Sequence, residues 1–544
     1  MDTNLTALPA PAASPPRRAA APPLPPTGAA PPVAVRGRAA AVASRRAAAV
    51  LGPPLLFLAA SLLLRAIAFV PAVFDTDEGL YILQAREWLR GHWPLVAVWD
   101  MHPVGAPALI AVAFALLGES IATVRLLGAV CVAGTAWALF GLVRAAGGPR
   151  PAALGAGMLY IAYSLRLGGL ATNTEVLFAP FVVLAMTVGL RASQRALVGE
   201  GLPPRRRDLV AMGLLMGCGF AIKPVVGPEG CLAFALLTFP ALWRRLLPLR
   251  RFLPMAAGYA GLVLLPTLLF GLAYAVRGEV LPFLEGSFLA PFRYSLGRLP
   301  LPEAARLSLV AALILTWPIA LSAFALARWA GRRGAGGRLA RAGLLWFAVA
   351  TAAIAGPGYF FQHYFLIWLP PLSVLAALGA WRLSRLARPG RARLAYLLVL
   401  GAAVVHSWLG AFVPRLDRGA GYALPDPVRQ VAAAIAEELA PGETIYVANY
   451  HPVVYFLSGA EVPTRFVFPA HLTGGFARIA GTDANEEISR ILGTLPRFIV
   501  VDRGWWWSVR PEAAARIEAA LTDGYELAET VTEERGPVEV WRRR

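Results

Sequence analysis

Three shortages mark this 544-residue chain: three cysteines, a single lysine against fifty arginines, and only 15% charged residues. The cysteines, Cys131, Cys218 and Cys231, lie inside apolar blocks. Their spacing suits neither a disulfide framework nor a zinc site, so they read as small packing residues. An ordinary soluble domain carries about a quarter charged residues, so the low charge excludes that class. No glycine-rich phosphate loop, nucleophile-elbow serine or Cys-x-x-Cys pair occurs, which removes the chemistries those motifs carry. Acidic residues are also scarce, leaving a formal net charge of +19. The surplus arginines sit in short loops between apolar blocks, the positive-inside pattern of a membrane protein, and this argues against nucleic acid as a partner.

What the chain has in abundance is apolar sequence: 57% of residues are hydrophobic and the mean hydropathy is +0.59. Apolar runs of the length that crosses a bilayer recur from Leu51 to Val413. Arginine clusters at 144–150, 191–207, 244–251, 328–341 and 382–393 set the topology if all are cytoplasmic. Eleven spans then follow, at residues 48–70, 121–143, 151–165, 176–190, 209–226, 228–243, 252–276, 305–328, 342–355, 363–381 and 394–413. Residues 103–118 are apolar but too few to cross, and predict a helix on or dipping into the outer leaflet. The fold expected is a polytopic α-helical membrane protein with a C-terminal extracytoplasmic α/β domain.

Residues 1–46, rich in Pro and Ala, predict a disordered cytoplasmic tail; residues 47–413 form the membrane module, with a structured first outer loop at 71–120. From 414 to 544 charge returns to ordinary density. Helical patterns at 427–439, 486–495 and 511–521 alternate there with extended ones at 444–448, 498–501 and 537–541. A break into the first span at Arg65 predicts a side chain that faces the bundle or snorkels outward.

The parity of the spans places the polar residues on one face. Asp75, Asp77 and Glu78 follow the first span, where Leu80, Leu83 and Trp88 predict an amphipathic helix starting near Glu78. Asp75 reads as a loop or cap residue. Asp77 and Glu78 form an outward carboxylate pair of the kind a general base requires. Lys223, the sole lysine, ends an apolar segment in GFAIKPVVG, where a compact ammonium can meet a phosphate oxygen and Pro224 breaks the helix. Asp100 and His102 in VWDMHPVGAP could hold a metal or donate to a phosphate. Asn173 and Glu175, and Gln362, His363 and Tyr364, stand at two further outer mouths. The run Trp505-Trp506-Trp507 could rest on lipid headgroups or hold an acceptor sugar, and the residues leave both open.

Taken together, DTDEGLYILQAREWLRGHWP, DMHPVGAP, LLGESIATVRLLGAV, NTE, the Lys-Pro span end and HYFLIWLPPL resemble the GT-C superfamily of membrane glycosyltransferases. Within it the sequence is similar to family 39, which includes protein O-mannosyltransferases and lipid A aminoarabinose transferases. The resemblance runs over residues 50–413 and is strongest at 74–130 and 359–381; the tail resembles the periplasmic domain of many bacterial members. It implies an inverting transfer from a polyprenyl-phosphate-linked sugar to a glycolipid, glycan or protein on the periplasmic face of a bacterial inner membrane. Asp77 would be the base and Glu78 its support. Lys223, His102, Tyr81, Tyr364 and the adjacent His363 would serve the donor phosphate, with Asp100, Asn173 and Glu175 as supporting residues. Two departures are present: His102-Pro103-Val104 replaces a common Lys-Pro-Pro, and Leu80 stands where aminoarabinose transferases have Arg. The His form resembles the subgroup that includes galacturonosyl transferases. No cofactor is implied with certainty, and a divalent metal requirement varies across the superfamily. The rival classes are a secondary transporter or lipid flippase, which places ionisable groups near the midplane in repeated halves, and a non-catalytic scaffold.

Overall fold

Every segment that the hydropathy predicted as a span is helical. The computed structural model describes residues 51–198, 201–329, 331–417 and 426–544, so the tail expected at 1–46 lies outside the described residues. Helices α1 (Leu51–Phe69), α2 (Thr76–Leu89), α3 (Gly105–Leu117), α4 (Ile121–Ala145), α5 (Arg150–Tyr163), α6 (Thr174–Leu197) and α7 (Arg206–Ile222) come first. They are followed by α8 (Gly227–Trp243), α9 (Leu249–Val276), α10 (Leu301–Ile314), α11 (Thr316–Trp329), α12 (Ala335–Ala355), α13 (Leu369–Ser384) and α14 (Ala392–Asp417).

Eight helices among the described residues are long and apolar enough to cross a membrane, which makes this a multi-pass membrane protein. The predicted span at 305–328 is instead broken: α10 and α11 meet at 83°. Pro318, in the first turn of α11, has no N–H to return to Ile314, so the helix cannot run through. The predicted spans at 151–165 and 209–226 are α5 and α7, of 14 and 17 residues, shorter than the roughly 20 residues of an untilted crossing. The 13 residues of α3 form the short apolar helix expected at 103–118. It lies tightly on the end of α7, because a Cβ at Gly105 would stand 2.4 Å from the Ala221 carbonyl oxygen.

Helix α2 starts at Thr76, two residues before the position the sequence suggested. Asp75 caps it, accepting from the Asp77 backbone N–H at 3.2 Å. The helix is not amphipathic: every residue from Glu78 to Glu87 is buried, since the C-terminal part of the chain covers it.

That part begins with α15 (Pro427–Glu438) and builds a four-stranded sheet from β1 (Ile445–Val447), β2 (Phe498–Asp502), β3 (Tyr525–Glu533) and β4 (Gly536–Arg543) in the order β1-β2-β4-β3. Strands β1 and β2 are parallel, and β4 pairs antiparallel with β2 and β3. A short helix, α16 (Val453–Ser458), meets α2 at Gly79, where an added Cβ would lie 3.0 Å from the Val453 nitrogen. Two further helices, α17 (Ala484–Gly493) and α18 (Pro511–Gly524), complete the α/β unit.

The seam with the bundle is hydrogen-bonded as well as apolar. Asp426 accepts from the Ala72 N–H at 2.6 Å, and Arg86 donates to the carbonyls of Tyr455 at 3.0 Å and Ala460 at 3.3 Å. One apolar cluster continues from Leu139 and Leu159 in the bundle through Leu83 to Val454, Val500 and Val538. Burial of this kind stabilises by roughly 25 cal/mol per Å² of apolar surface. The other face of the sheet, with Tyr446, Ile499 and Val501, packs in a separate cluster against Ile488, Ile491, Ile517 and Leu521 of the two helices that complete the unit.

Candidate active site

The cap of α2 opens into a cluster of charged groups. Asp75 accepts from Asn173 Nδ2 at 2.9 Å, and its Oδ2 lies 3.2 Å from His363 Nδ1. The other ring nitrogen of His363, Nε2, stands 4.0 Å from Asp77 Oδ2, so one imidazole bridges the two carboxylates. His363 is the second residue of the 3-10 helix Gln362–Trp368 ahead of α13, and Phe360, at φ 54°, bends the chain into it. Burial raises the Asp75 carboxyl, but hydrogen bonding and the charge of His363, then Asn173, outweigh it and bring the pKa down to about 2. Asp77 moves the other way. Burial, then the like charge of Asp75, pushes it up to about 6 against the pull of His363 and His102. Its side chain keeps 30% exposure, more than Asp75 or His363, so it is the member of the cluster open to a ligand.

Lys223 is placed by the end of α7. Ahead of Pro224 its backbone is extended, with φ −156° and ψ 121°, and the helix stops there. The ammonium donates to Glu175 Oε1 at 2.7 Å and lies 4.4 Å from the centre of the Tyr364 ring. Thr174, in the same first turn of α6, donates to the other Glu175 oxygen at 3.0 Å. The Tyr364 hydroxyl meets that of Tyr294 at 3.0 Å. Lys223, Tyr294, Tyr364 and His102 all line a cavity of about 260 Å³ whose remaining wall is largely apolar, with Pro224, Val225, Ala352 and Ala353. An ammonium has three donors, and Glu175 takes one, so two N–H groups remain to meet an anion at this end.

Asp100 orients His102. Its carboxylate lies 3.0 Å from Nδ1 and accepts from the Met101 N–H at 2.6 Å, and Tyr81 stands edge-on to the imidazole at 6.2 Å. Burial raises the Asp100 carboxyl, but His102 more than compensates, so Asp100 stays below its ordinary value.

Glu78 is elsewhere. It is 1% exposed and paired with Arg125 of α4, and it also accepts from the Thr172 N–H at 2.7 Å. The Arg125 guanidinium in turn lies over Phe74 at 4.9 Å. Glu78 therefore ties α2 to α4 and to the chain before α6, beneath the cluster. Arg65 also faces the bundle, donating to the carbonyls of Leu170 and Ser164.

The structure thus brings together Asp77, His363, Tyr364, Lys223, Glu175, Asn173, His102, Asp100 and Tyr81, and sets Glu78 apart. The sequence reading undervalued Asp75, which is both cap and cluster member, and passed over Tyr294 in the short helix Ala290–Ser295 between α9 and α10. The Asn173 side chain carried a usable signal, since a polar residue at a span mouth needs a partner. Tyr294 carried none.

Asp75, Asp77 and His363 offer ligand atoms within 4.8 Å of one another, a spacing that suits a divalent cation. Asp75 and His363 also satisfy each other directly, as the 3.2 Å contact shows.

Comparison with known proteins comes to the same architecture. The family model described as dolichyl-phosphate-mannose-protein mannosyltransferase matches residues 101–270. No curated protein matches the sequence. Among solved structures, the chain is similar to ArnT from Cupriavidus metallidurans bound to undecaprenyl phosphate, with a TM-score of 0.61 at 15% identity, covering 89% of this chain and 97% of that one. It is also similar to the archaeal oligosaccharyltransferase AglB from Archaeoglobus fulgidus, in complex with an inhibitory peptide and a dolichol-phosphate. There the TM-score is 0.52 at 14% identity, over 90% of this chain and 74% of that one. The chain has the fold of these two solved proteins, in keeping with the sequence resemblance.

Proposed function

We propose that this chain transfers a sugar from a polyprenyl-phosphate-linked donor to a hydroxyl of a glycolipid, glycan or protein, on the extracytoplasmic face of a bacterial inner membrane. The observation that carries the reading is the apolar cavity ending at Lys223, Tyr364, Tyr294 and His102, with Asp77 reached through the neighbouring His363. An isoprenoid phosphate has this shape, an apolar chain ending in an anion. The solved ArnT and AglB structures hold undecaprenyl phosphate and dolichol-phosphate, which supports the same ligand class here.

In the proposed step the acceptor oxygen attacks the anomeric carbon as the bond from that carbon to the phosphate oxygen breaks. The electron pair leaves on the phosphate, where Lys223 and the tyrosine hydroxyls meet the developing charge. The acceptor proton goes to Asp77. A single displacement of this kind inverts the anomeric centre. Glu175 positions Lys223, Asp100 positions His102, and Glu78 acts at a distance by fixing α2. A divalent cation held by Asp75, Asp77 and His363 would add positive charge beside the phosphate. The arginine-rich loops support an orientation with the N-terminus cytoplasmic and residues 414–544 periplasmic.

The test is sugar transfer by the purified protein from undecaprenyl-phosphate-linked donors, beside Asp77→Asn and Lys223→Ala. Loss of transfer in both folded variants is the expected result. Wild-type turnover by Asp77→Asn would remove the base assignment, and ion-coupled solute uptake without any transfer would favour a transporter.

A further inference from the structure

A second cavity, of about 400 Å³, lies between the first turn of α2 and the C-terminal sheet, and the transfer step above uses none of its residues. Its volume falls within the roughly 300–1,000 Å³ of small-molecule sites. Thr76, the neighbour of Asp77, lines it, with the hydroxyl 3.4 Å from His451 Nδ1. Asp502 and Glu533 line it too, and neither forms an ion pair among the described residues. Asp502 is 4% exposed. Its Oδ1 accepts from the N–H groups of Gly504 at 2.8 Å and Trp505 at 3.2 Å, while Oδ2 has no hydrogen-bond donor among the described residues. Asn449 clamps the end of β2 by exchanging two 2.8 Å bonds with the Asp502 backbone. One Glu533 oxygen accepts from the Tyr450 hydroxyl, and the other has no donor among the described residues. Trp505 and Phe476 add ring surface to the wall.

Among the described residues no arginine or lysine lines the cavity, and Arg535, over the Trp505 ring at 4.1 Å, acts on Asp502 from outside its wall. Carboxylates held there call for donors from a ligand. Vicinal hydroxyls supply them as charge-assisted bonds, and the C–H face of a sugar packs on aromatic rings. At the same time, two carboxylates without a paired cation in the cavity wall disfavour phosphate and uronate. We propose that this cavity binds a saccharide of the acceptor, neutral or amine-bearing and not anionic. The word acceptor rests on the transfer reading; the saccharide chemistry does not. The two cavities meet at one ring contact, Phe476 of the second with Tyr294 of the first at 5.6 Å, and Thr76 in the second cavity's wall immediately precedes Asp77 in α2. A sugar seated here would hold its next unit beside Asp77.

The test uses full-length protein in detergent on an array of neutral, amino and uronic-acid oligosaccharides, with Glu533→Gln and Trp505→Ala beside the wild type. Glu533→Gln keeps the volume and an oxygen for Tyr450, so it remains folded, and thermal unfolding checks this. At least one neutral or amino glycan binds, and about tenfold more weakly to Glu533→Gln and to Trp505→Ala, as loss of one charged hydrogen bond or stacking contact gives. Binding confined to uronic acids, binding indifferent to both cavity variants, or no binding would overturn the proposal. A parallel arm measures an undecaprenyl-phosphate-linked hexose. If Glu533→Gln weakens that donor and spares the glycans, the saccharide is the donor's and the acceptor assignment falls. Glycan binding that persists while no donor supports transfer sinks the transfer reading alone.

Discussion

The Lys223 ammonium lies 2.7 Å from the Glu175 carboxylate, and both groups are buried at the polar end of an apolar cavity. Removing one partner strands the other. Lys223→Ala should therefore lose donor binding and also destabilise the fold by about 3–5 kcal/mol, the cost of an uncompensated buried charge. The double variant Lys223→Ala/Glu175→Ala should recover most of the stability and none of the donor affinity. Thermal unfolding and polyprenyl-phosphate binding, measured on the same three proteins, separate the two effects. If the double variant binds donor as the wild type does, Lys223 is a structural ion-pair partner only.

As the proposed base, Asp77 should set an acidic limb on activity. With its carboxyl raised to about 6, the base is protonated below that pH and ionised above it. The value of kcat/KM should fall about tenfold per pH unit below the limb and level off above it. Asp77→Asn should cost about 10²–10⁴ in rate, the usual contribution of a general base. The linkage to stability has opposite signs in the two neighbours. Asp77, raised in the folded state, favours folding only while protonated, and that contribution is lost as pH rises through about 6. Asp75, lowered to about 2, contributes above the ordinary carboxylate range, and its contribution is lost as pH falls toward that value.

The buried pair of Glu78 and Arg125 makes a contrasting prediction. Arg125→Leu should lower thermal stability by about 3–5 kcal/mol, and Arg125→Leu/Glu78→Leu should regain most of it. The double variant should keep the acidic limb of the wild-type pH profile, because neither residue is the base. A shifted limb would return Glu78 to the chemistry.

Arg86 tests the seam. Its two bonds to the carbonyls of Tyr455 and Ala460 join α2 to the C-terminal unit. Each bond from a charged donor contributes roughly 1.5–3 kcal/mol. Arg86→Ala should make the amides of β1 and β2 exchange hydrogen faster, while those of α4 and α6 change little. Equal acceleration in bundle and sheet would mean that the two unfold as one.

Spans were legible in the sequence because a bilayer demands some 20 apolar residues in a row, and that demand leaves its mark in composition alone. The site was legible in its chemistry for a similar reason: Lys223, Asp77 and His363 are costly residues at span mouths and would not be there without partners. Their pairing was not legible. Nothing in the local sequence says that Glu78 turns to Arg125, 47 residues away, while Asp75 reaches His363 on another helix. Strand β3 escaped notice because most of YELAETVTE is exposed and lacks the alternating apolar face that marks a half-buried strand. The burial of α2 on all sides also had no local sign, since the covering residues come from more than 350 positions downstream, as the Ala72–Asp426 bond shows.

The close approach of Gly79 to Val453, half a turn beyond Asp77, has a mechanical meaning. Backbone meets backbone there with no side chain to act as a spring, and Arg86 and Asp426 brace the joint on either side. A load on the C-terminal sheet, such as a bulky bound glycan or an antibody fragment clamped to β3, is delivered without slack to the helix that carries Asp77. The sheet is a handle on that helix, and whatever grips it steers the carboxylate.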